Sequence, residues 1–202
     1  MPTSRTAVVT GLGAVTPYGI GVDSLWNGLL AGRSTARRIT RFDPSDHAVQ
    51  IACEVPGFEP TEYLPRRLAR QLDPFAQYAL VAAAEALGQA GLLAEADGMH
   101  WPANDQVDSR RVGVVIASGI GAIQEATDQH ERLRTGGPGR VRPYLAIALP
   151  LNMAGGQVAI RHGLRGPNYS VVSACASATD AIGSALDLIL SLIHISEPTR
   201  PY

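Results

Sequence analysis

The chain has 202 residues, of which 46% are hydrophobic and 17% charged, enough apolar material for one sizeable domain with a real core and too much for a disordered chain. Its formal net charge of −1 excludes the electrostatic footprint of a nucleic-acid binder, and no uninterrupted apolar run is long enough to span a membrane. All 17 basic residues are arginine, which rules out lysine Schiff-base chemistry and the lysine of a phosphate-binding P-loop.

In chain order, RTAVVTGLGAVTPYG predicts a short buried strand over Thr6–Thr10 followed by a glycine-rich turn. A helix is expected from near Val22, with Gly32 as its stop, then a loop through TRFDPSD and a strand around residues 49–55. LPRRLARQLDPFAQYALVAAAEALGQAGL carries the strongest helical signal, and its Ala- and Leu-rich part from Pro74 to Ala90 is expected to be covered on most sides. RVGVVIAS, residues 111–118, predicts a strand, and the polar GAIQEATDQHERLRTGG a helix ending at Gly136–Gly137. LPLNMAGGQVAIRHGL is helical in type, and NYSVVSA is a strand running toward Cys175. Beyond it, Ala178, Ala181, Ile182, Ala185 and Ile189 fall at the i, i+3, i+4, i+7, i+11 spacing of an amphipathic helix. Strands alternating with helices, without an internal repeat or a linker, predict an α/β fold with a mostly parallel sheet.

Several motifs point to chemistry and then fall short of it. GLGAVTPYG begins like a dinucleotide fingerprint, but Thr16 stands where the third glycine belongs and Pro17 follows, so a structural turn is expected. ASGIGA, residues 117–122, is read the same way. The histidines, His47, His100, His130, His162 and His194, show no metal-ligand spacing; dispersed surface positions are expected, with His162 near a helix end, and no metal is expected. Two cysteines build no disulfide framework, and the start MPTSRTAVVTGLG lacks the pattern of a leader, so a reducing cytoplasm is expected.

Cys53 lies within the apolar IACEV and is expected to be buried and inert. Cys175 is placed differently, where a strand gives way to a helix among small residues. There the positive end of the helix dipole favours a thiolate, and small neighbours leave room for a substrate. Physical reasoning on this stretch leaves Cys175 open between a structural cysteine and a nucleophile.

Read in order, VVTGLGAVTPYG, LLAGRS, ITRFD, RVGVVIASGIGA and NMAGGQVAIRHGLRGPNYSVVSACASATDAIG closely resemble β-ketoacyl-[acyl-carrier-protein] synthases, most of all the elongating type II form, over Thr6 to Ile189. The resemblance implies the N-terminal half of a thiolase-like fold, αβαβα in its layers, and a homodimer in the full-length parent. It implies Cys175 as the catalytic nucleophile and the backbone N–H of Cys175 as an oxyanion-hole donor. The partner it implies is acyl-carrier protein, whose phosphopantetheine carries the substrates, so no bound cofactor is expected. Asn152 and Met153 are then expected near the acyl pocket, and NYSVVSA at the dimer interface.

Two departures accompany the match. The family's two second-half histidines and its C-terminal glycine-rich motif have no counterpart here, so acylation of the cysteine without elongation is expected. The string LSLIHISEPTRPY, residues 190–202, resembles a translated sequencing-library adapter; the expected division is a synthase domain over 1–189 and a foreign tail over 190–202. A thiolase-like enzyme using acyl-coenzyme A, a polyketide-type condensing enzyme and a non-catalytic fragment are the alternatives. Apolar faces left without cover predict self-association.

Overall fold

A computed structural model describes residues 6–94, 105 and 108–191. His100, His194 and residues 192–202 lie outside them. The described part runs β1 (Val15–Thr16), β2 (Gly19–Ile20), α1 (Val22–Leu30), β3 (Arg37–Arg38), β4 (Ile51–Ala52), α2 (Arg66–Gln71), α3 (Pro74–Gln89), β5 (Val114–Ala117), α4 (Ile123–Gly136), α5 (Leu145–Ala148), α6 (Met153–His162), β6 (Asn168–Val171) and α7 (Ser177–Ser191). β1–β2 and β3–β4 are two-residue antiparallel ladders, whereas β5 and β6 pair in parallel from Val114↔Asn168 to Ala117↔Val171.

Alternation along β5 sets the layers. Val114 and Ile116 face a core with Leu72, Ala76 and Leu80 of the α2–α3 region and Ala154, Val158 and Ala159 of α6. Val115 faces the other way, toward Ala185, Leu188 and Ile189 of α7. Helices therefore cover both faces of the parallel pair, as a βαβ connection requires. Gly155 lets α6 come down onto β6, since a Cβ there would lie 2.9 Å from Asn168 Oδ1. The left-handed Gly163 (φ 68) then ends α6, with the Leu164 N–H returning to the Ala159 carbonyl at 2.9 Å.

The long helical signal divides in two at Leu72–Asp73. Pro74 forces the residue before it into an extended conformation and itself suits the first turn of α3. Gln77 Nε2 donates to the Ala69 and Leu72 carbonyls (2.8 and 3.0 Å) and closes the end of α2. Asp73, 5% exposed, accepts from the Phe75 N–H through Oδ1 (3.2 Å) and from the Glu125 N–H through Oδ2 (2.9 Å). One carboxylate thus caps α3 and also α4, which begins after Ala122 and receives no side-chain cap from it. α3 is buried along Ala76, Gln77, Leu80 and Val81 and half-buried elsewhere up to Leu87, which matches the expected cover until the exposed Gly88 and Gln89.

The first predicted strand is absent. Residues 6–10 join no ladder, and Val8 and Val9 are 74% and 80% exposed. What holds this end is the turn after it: a Cβ at Gly11 or Gly13 would meet the Ala86 or Ala82 carbonyl oxygen of α3 at about 2 Å. The glycines serve close packing, and the dinucleotide reading fails for that reason as well. Glu85 of α3 accepts from the Ala14 N–H (2.9 Å) and from the Val22 N–H at the start of α1 (2.8 Å), fixing both to one carboxylate. Around residues 49–55 only Ile51–Ala52 pairs, because its partner, Arg37–Arg38, is equally short.

Candidate active site

The site begins where β6 ends. After Val171 the chain turns through Val172 and Ser173, and Ala174 takes the left-handed conformation (φ 51), the only non-glycine residue with positive φ among those described. Such a backbone is costly for an L-residue with a Cβ, and it persists where its surroundings dictate it. A single 3-10 turn, Ala174–Ala176, then leads into α7 at Ser177. Cys175 sits within that turn with its side chain exposed, two residues ahead of a 15-residue helix. The Ala176 N–H bonds the Ser173 carbonyl (3.1 Å), and the Ser177 N–H bonds the Ala174 carbonyl; the Cys175 N–H enters neither bond.

Two contacts frame the turn. The Ser177 hydroxyl donates to the Ala174 carbonyl (2.7 Å) and accepts from the Ser173 N–H (2.9 Å). On the other side lies the loop after β5, where a Cβ on Gly119 would stand 3.9 Å from Cα and O of Ala174. That loop is folded on itself, with the Gly121 N–H donating to Ser118 Oγ at 2.9 Å. The same loop reaches the segment ahead of α6, since a Cβ on Gly121 would lie 3.5 Å from the Leu151 side chain. Asn152 stands at the N-cap position of α6, exposed and making no side-chain cap bond. Met153, half-buried, lies along its own helix near Gly156. Residues 118–122 are thus the link between the Cys175 turn and the Asn152–Met153 segment.

Other candidates resolve differently. Cys53 is exposed, because the two-residue β4 offers no layer to cover it; the expectation of a buried cysteine fails. His47 and His130 are exposed as expected, but His162, the last residue of α6, is only 1% exposed. Its place in the α6 face that packs against the sheet and α3 accounts for that. Among the described residues no three His, Cys, Asp or Glu side chains are grouped to hold a metal. A cleft of about 790 Å³ lies between α2 and α4, lined by Arg67, Arg70, Asp73, Glu125, Arg142 and Tyr144, and it does not include Cys175. Across it Arg142 pairs with the 9% exposed Glu125 (3.3 Å), while its N–H donates to Gln129 Oε1 (2.8 Å).

Sequence reading did not mark Ala174 or Ser177. Left-handed alanine leaves no sequence signature, and a serine at a helix start resembles any other cap.

Residues 4–192 match the family model for the beta-ketoacyl synthase N-terminal domain. The chain belongs to that family. Among curated relatives, this β-ketoacyl synthase chain is 40% identical over 192 residues to a 3-oxoacyl-[acyl-carrier-protein] synthase 2 of Rhizobium meliloti (strain 1021), covering 92% of the chain and 44% of the relative. The chain therefore spans less than half of that relative's length. Among solved structures it resembles the ishigamide ketosynthase/chain length factor (TM-score 0.72, 34% identity, 90% of this chain and 48% of that one). It also resembles the AntDE:AntF assembly, described as a type II PKS acyl-carrier protein in complex with its ketosynthase (TM-score 0.66, 26% identity, 90% and 47%). The fold is accordingly the N-terminal half of the thiolase-like ketosynthase fold, with the β5–β6 pair and its flanking helices as the described part of its layers.

Proposed function

We propose that this chain is the acyl-accepting half of a 3-oxoacyl-[acyl-carrier-protein] synthase of fatty-acid biosynthesis, with Cys175 as its nucleophile. The observation that carries the reading is the exposed Cys175 in a turn between the end of β6 and the head of α7, within a chain of this family. In the first step the Cys175 thiolate attacks the thioester carbonyl of an acyl group carried on acyl-carrier protein. A C–S bond forms to Cys175, the carrier's C–S bond breaks, and the carrier's sulfur leaves and takes a proton. The Cys175 N–H stands to receive the oxyanion of that addition. In the second step, assigned to the whole protein, a malonyl thioester loses carbon dioxide. The resulting carbanion attacks the acyl-cysteine, forms a C–C bond and releases the Cys175 thiolate. Covalent capture divides one difficult condensation into two easier ones.

The partner in this reading is acyl-carrier protein, the substrates ride on its phosphopantetheine, and no other cofactor is invoked. The whole protein is assigned to the cytoplasm as a homodimer, with Asn152 and Met153 beside the acyl chain. Among the described residues no helix is long and apolar enough to cross a membrane. A second reading, polyketide rather than fatty-acid synthesis, is favoured by the two solved relatives, whose titles name a ketosynthase/chain length factor and a type II polyketide system.

The test is transfer of a radiolabelled acyl group from acyl-carrier protein to the chain, beside Cys175→Ala. Label on the wild type and none on the variant is expected; equal labelling of both would remove Cys175 from the role. Supplying acyl-coenzyme A instead separates a thiolase-like enzyme, and elongation assayed on the full-length parent with saturated and polyketide starters separates the two pathways.

A further inference from the structure

We propose that Ser177 is the positioning residue of the Cys175 turn: its hydroxyl ties the Ser173 N–H to the Ala174 carbonyl ahead of the cysteine and so keeps Cys175 at the head of α7. The inference rests on the reading of Cys175 as the nucleophile.

A serine that merely begins a helix occupies the cap position and bonds forward, to the N–H of the second or third helical residue. Ser177 is the first residue of α7, and both its bonds run backward across Cys175, to the Ala174 carbonyl and the Ser173 N–H. The peptide units it grips, Val172–Ser173 and Ala174–Cys175, bracket Ser173 and Ala174, and the φ of 51 at Ala174 is a conformation that an alanine does not keep by itself. Two bonds to one buried hydroxyl are what dictate it, since Ser177 is 4% exposed and cannot trade them for bonds to water without opening the turn. If Ala174 relaxed to negative φ, the direction of the chain through Cys175 would change, and the sulfur would leave its place ahead of the helix.

A nucleophile performs at its best when held within a fraction of an ångström of its working place, and its supports decide that. Ser177 supplies this support on the helix side and touches no reacting atom.

The chain carries its own reference. Cys53 is also exposed and directly follows β4, outside the Cys175 turn. The 202-residue chain is treated in parallel with iodoacetamide and with a hexanoyl thioester of N-acetylcysteamine, and modification at each cysteine is followed by peptide mass spectrometry. For Ser177→Ala, the Cys175-to-Cys53 rate ratio is expected to fall roughly tenfold with the thioester, as for a nucleophile displaced by a fraction of an ångström. Ser177→Thr, which keeps the hydroxyl, is expected to restore most of it. Loss of general stability would accelerate both cysteines together and leave no such selective fall.

Should Ser177→Ala not fold, Ala174→Gly serves as the second variant. Glycine adopts positive φ freely, so the ratio is expected to hold in Ala174→Gly and to fall less when Ser177→Ala is added to it. An unchanged ratio in Ser177→Ala, or a fall in Ser177→Thr equal to that in Ser177→Ala, would overturn the inference. If wild-type Cys175 takes no acyl group from the thioester while iodoacetamide still modifies it, the nucleophile reading itself fails and takes this inference with it.

Discussion

The two faces of the β5–β6 pair differ sharply. On one, Val114 meets α3 and α6, and Leu80, Ala154 and Val158 are at most 3% exposed. On the other, α7 covers Val115 yet shows its own apolar residues outward, with Ile182 72%, Leu186 40% and Leu190 40% exposed. α7 carries the spacing of an amphipathic helix. Periodicity tells which residues form a stripe, and only the presence of a facing layer turns that stripe into a core. The candidate nucleophile lies on the uncovered side, at the head of α7, while the core holds the strands that aim it.

The largest test of this contrast is truncation on each face. Leu80→Ala is expected to lower unfolding free energy by about 2–5 kcal/mol, as for a fully buried leucine. Ile182→Asp is expected to change it by no more than about 0.5 kcal/mol, as for an exposed position. Urea titration reads both, and sedimentation velocity is expected to show less self-association in Ile182→Asp than in the wild type. Equal losses from the two substitutions would dissolve the distinction between the faces.

A middle-sized effect is expected at Asp73, which belongs to the covered side and caps two helices at once. Asp73→Ala should cost about 1–3 kcal/mol, since it removes two caps and leaves buried N–H groups without a partner. Hydrogen exchange should quicken at the Phe75 and Glu125 amides and stay unchanged along α7. Faster exchange in α7 as well would mean that the two faces unfold as one.

The smallest effect belongs to the β3–β4 hairpin, outside both faces. Glu54 accepts from the Thr40 hydroxyl (2.7 Å) and from the Thr40 and Arg41 N–H groups. The Thr40 hydroxyl chiefly holds its carboxyl below the usual glutamate value of 4.5. A lowered folded value means that this tie is complete above the unfolded carboxylate range and is lost as pH falls through the folded one. Exchange at the Thr40 amide should therefore quicken on acidification in the wild type, beyond the intrinsic change. In Glu54→Gln that extra dependence should vanish while the global midpoint stays in place.

Local rules written into the sequence were enough for much of this architecture. Pro74 and the Asp before it set the start of α3, Gly163 ends α6, and the polar run from Ile123 to Gly136 forms its helix as spaced. The junction at Cys175 was legible too, because the strand-like NYSVVSA gives way there to small residues and then to apolar positions at helical spacing. Where reading failed, the deciding partner was distant in sequence. Residues 6–10 have a strand's composition but meet no strand, and IACEV pairs over only two residues, which leaves Cys53 exposed.

By itself, then, the sequence determined the main helices and the β5 and β6 strands in their order, the turns that glycine and proline enforce, and the cysteine that the family resemblance selects. These depend on residues within a turn or two of one another. Tertiary structure alone decided that Asp73 and Glu85 cap helices far along the chain, that α7 keeps an open face, and that Ala174 is held left-handed beneath Ser177. Those features depend on which surfaces meet. No local propensity encodes the position of a partner 52 residues away, such as Glu125 is to Asp73.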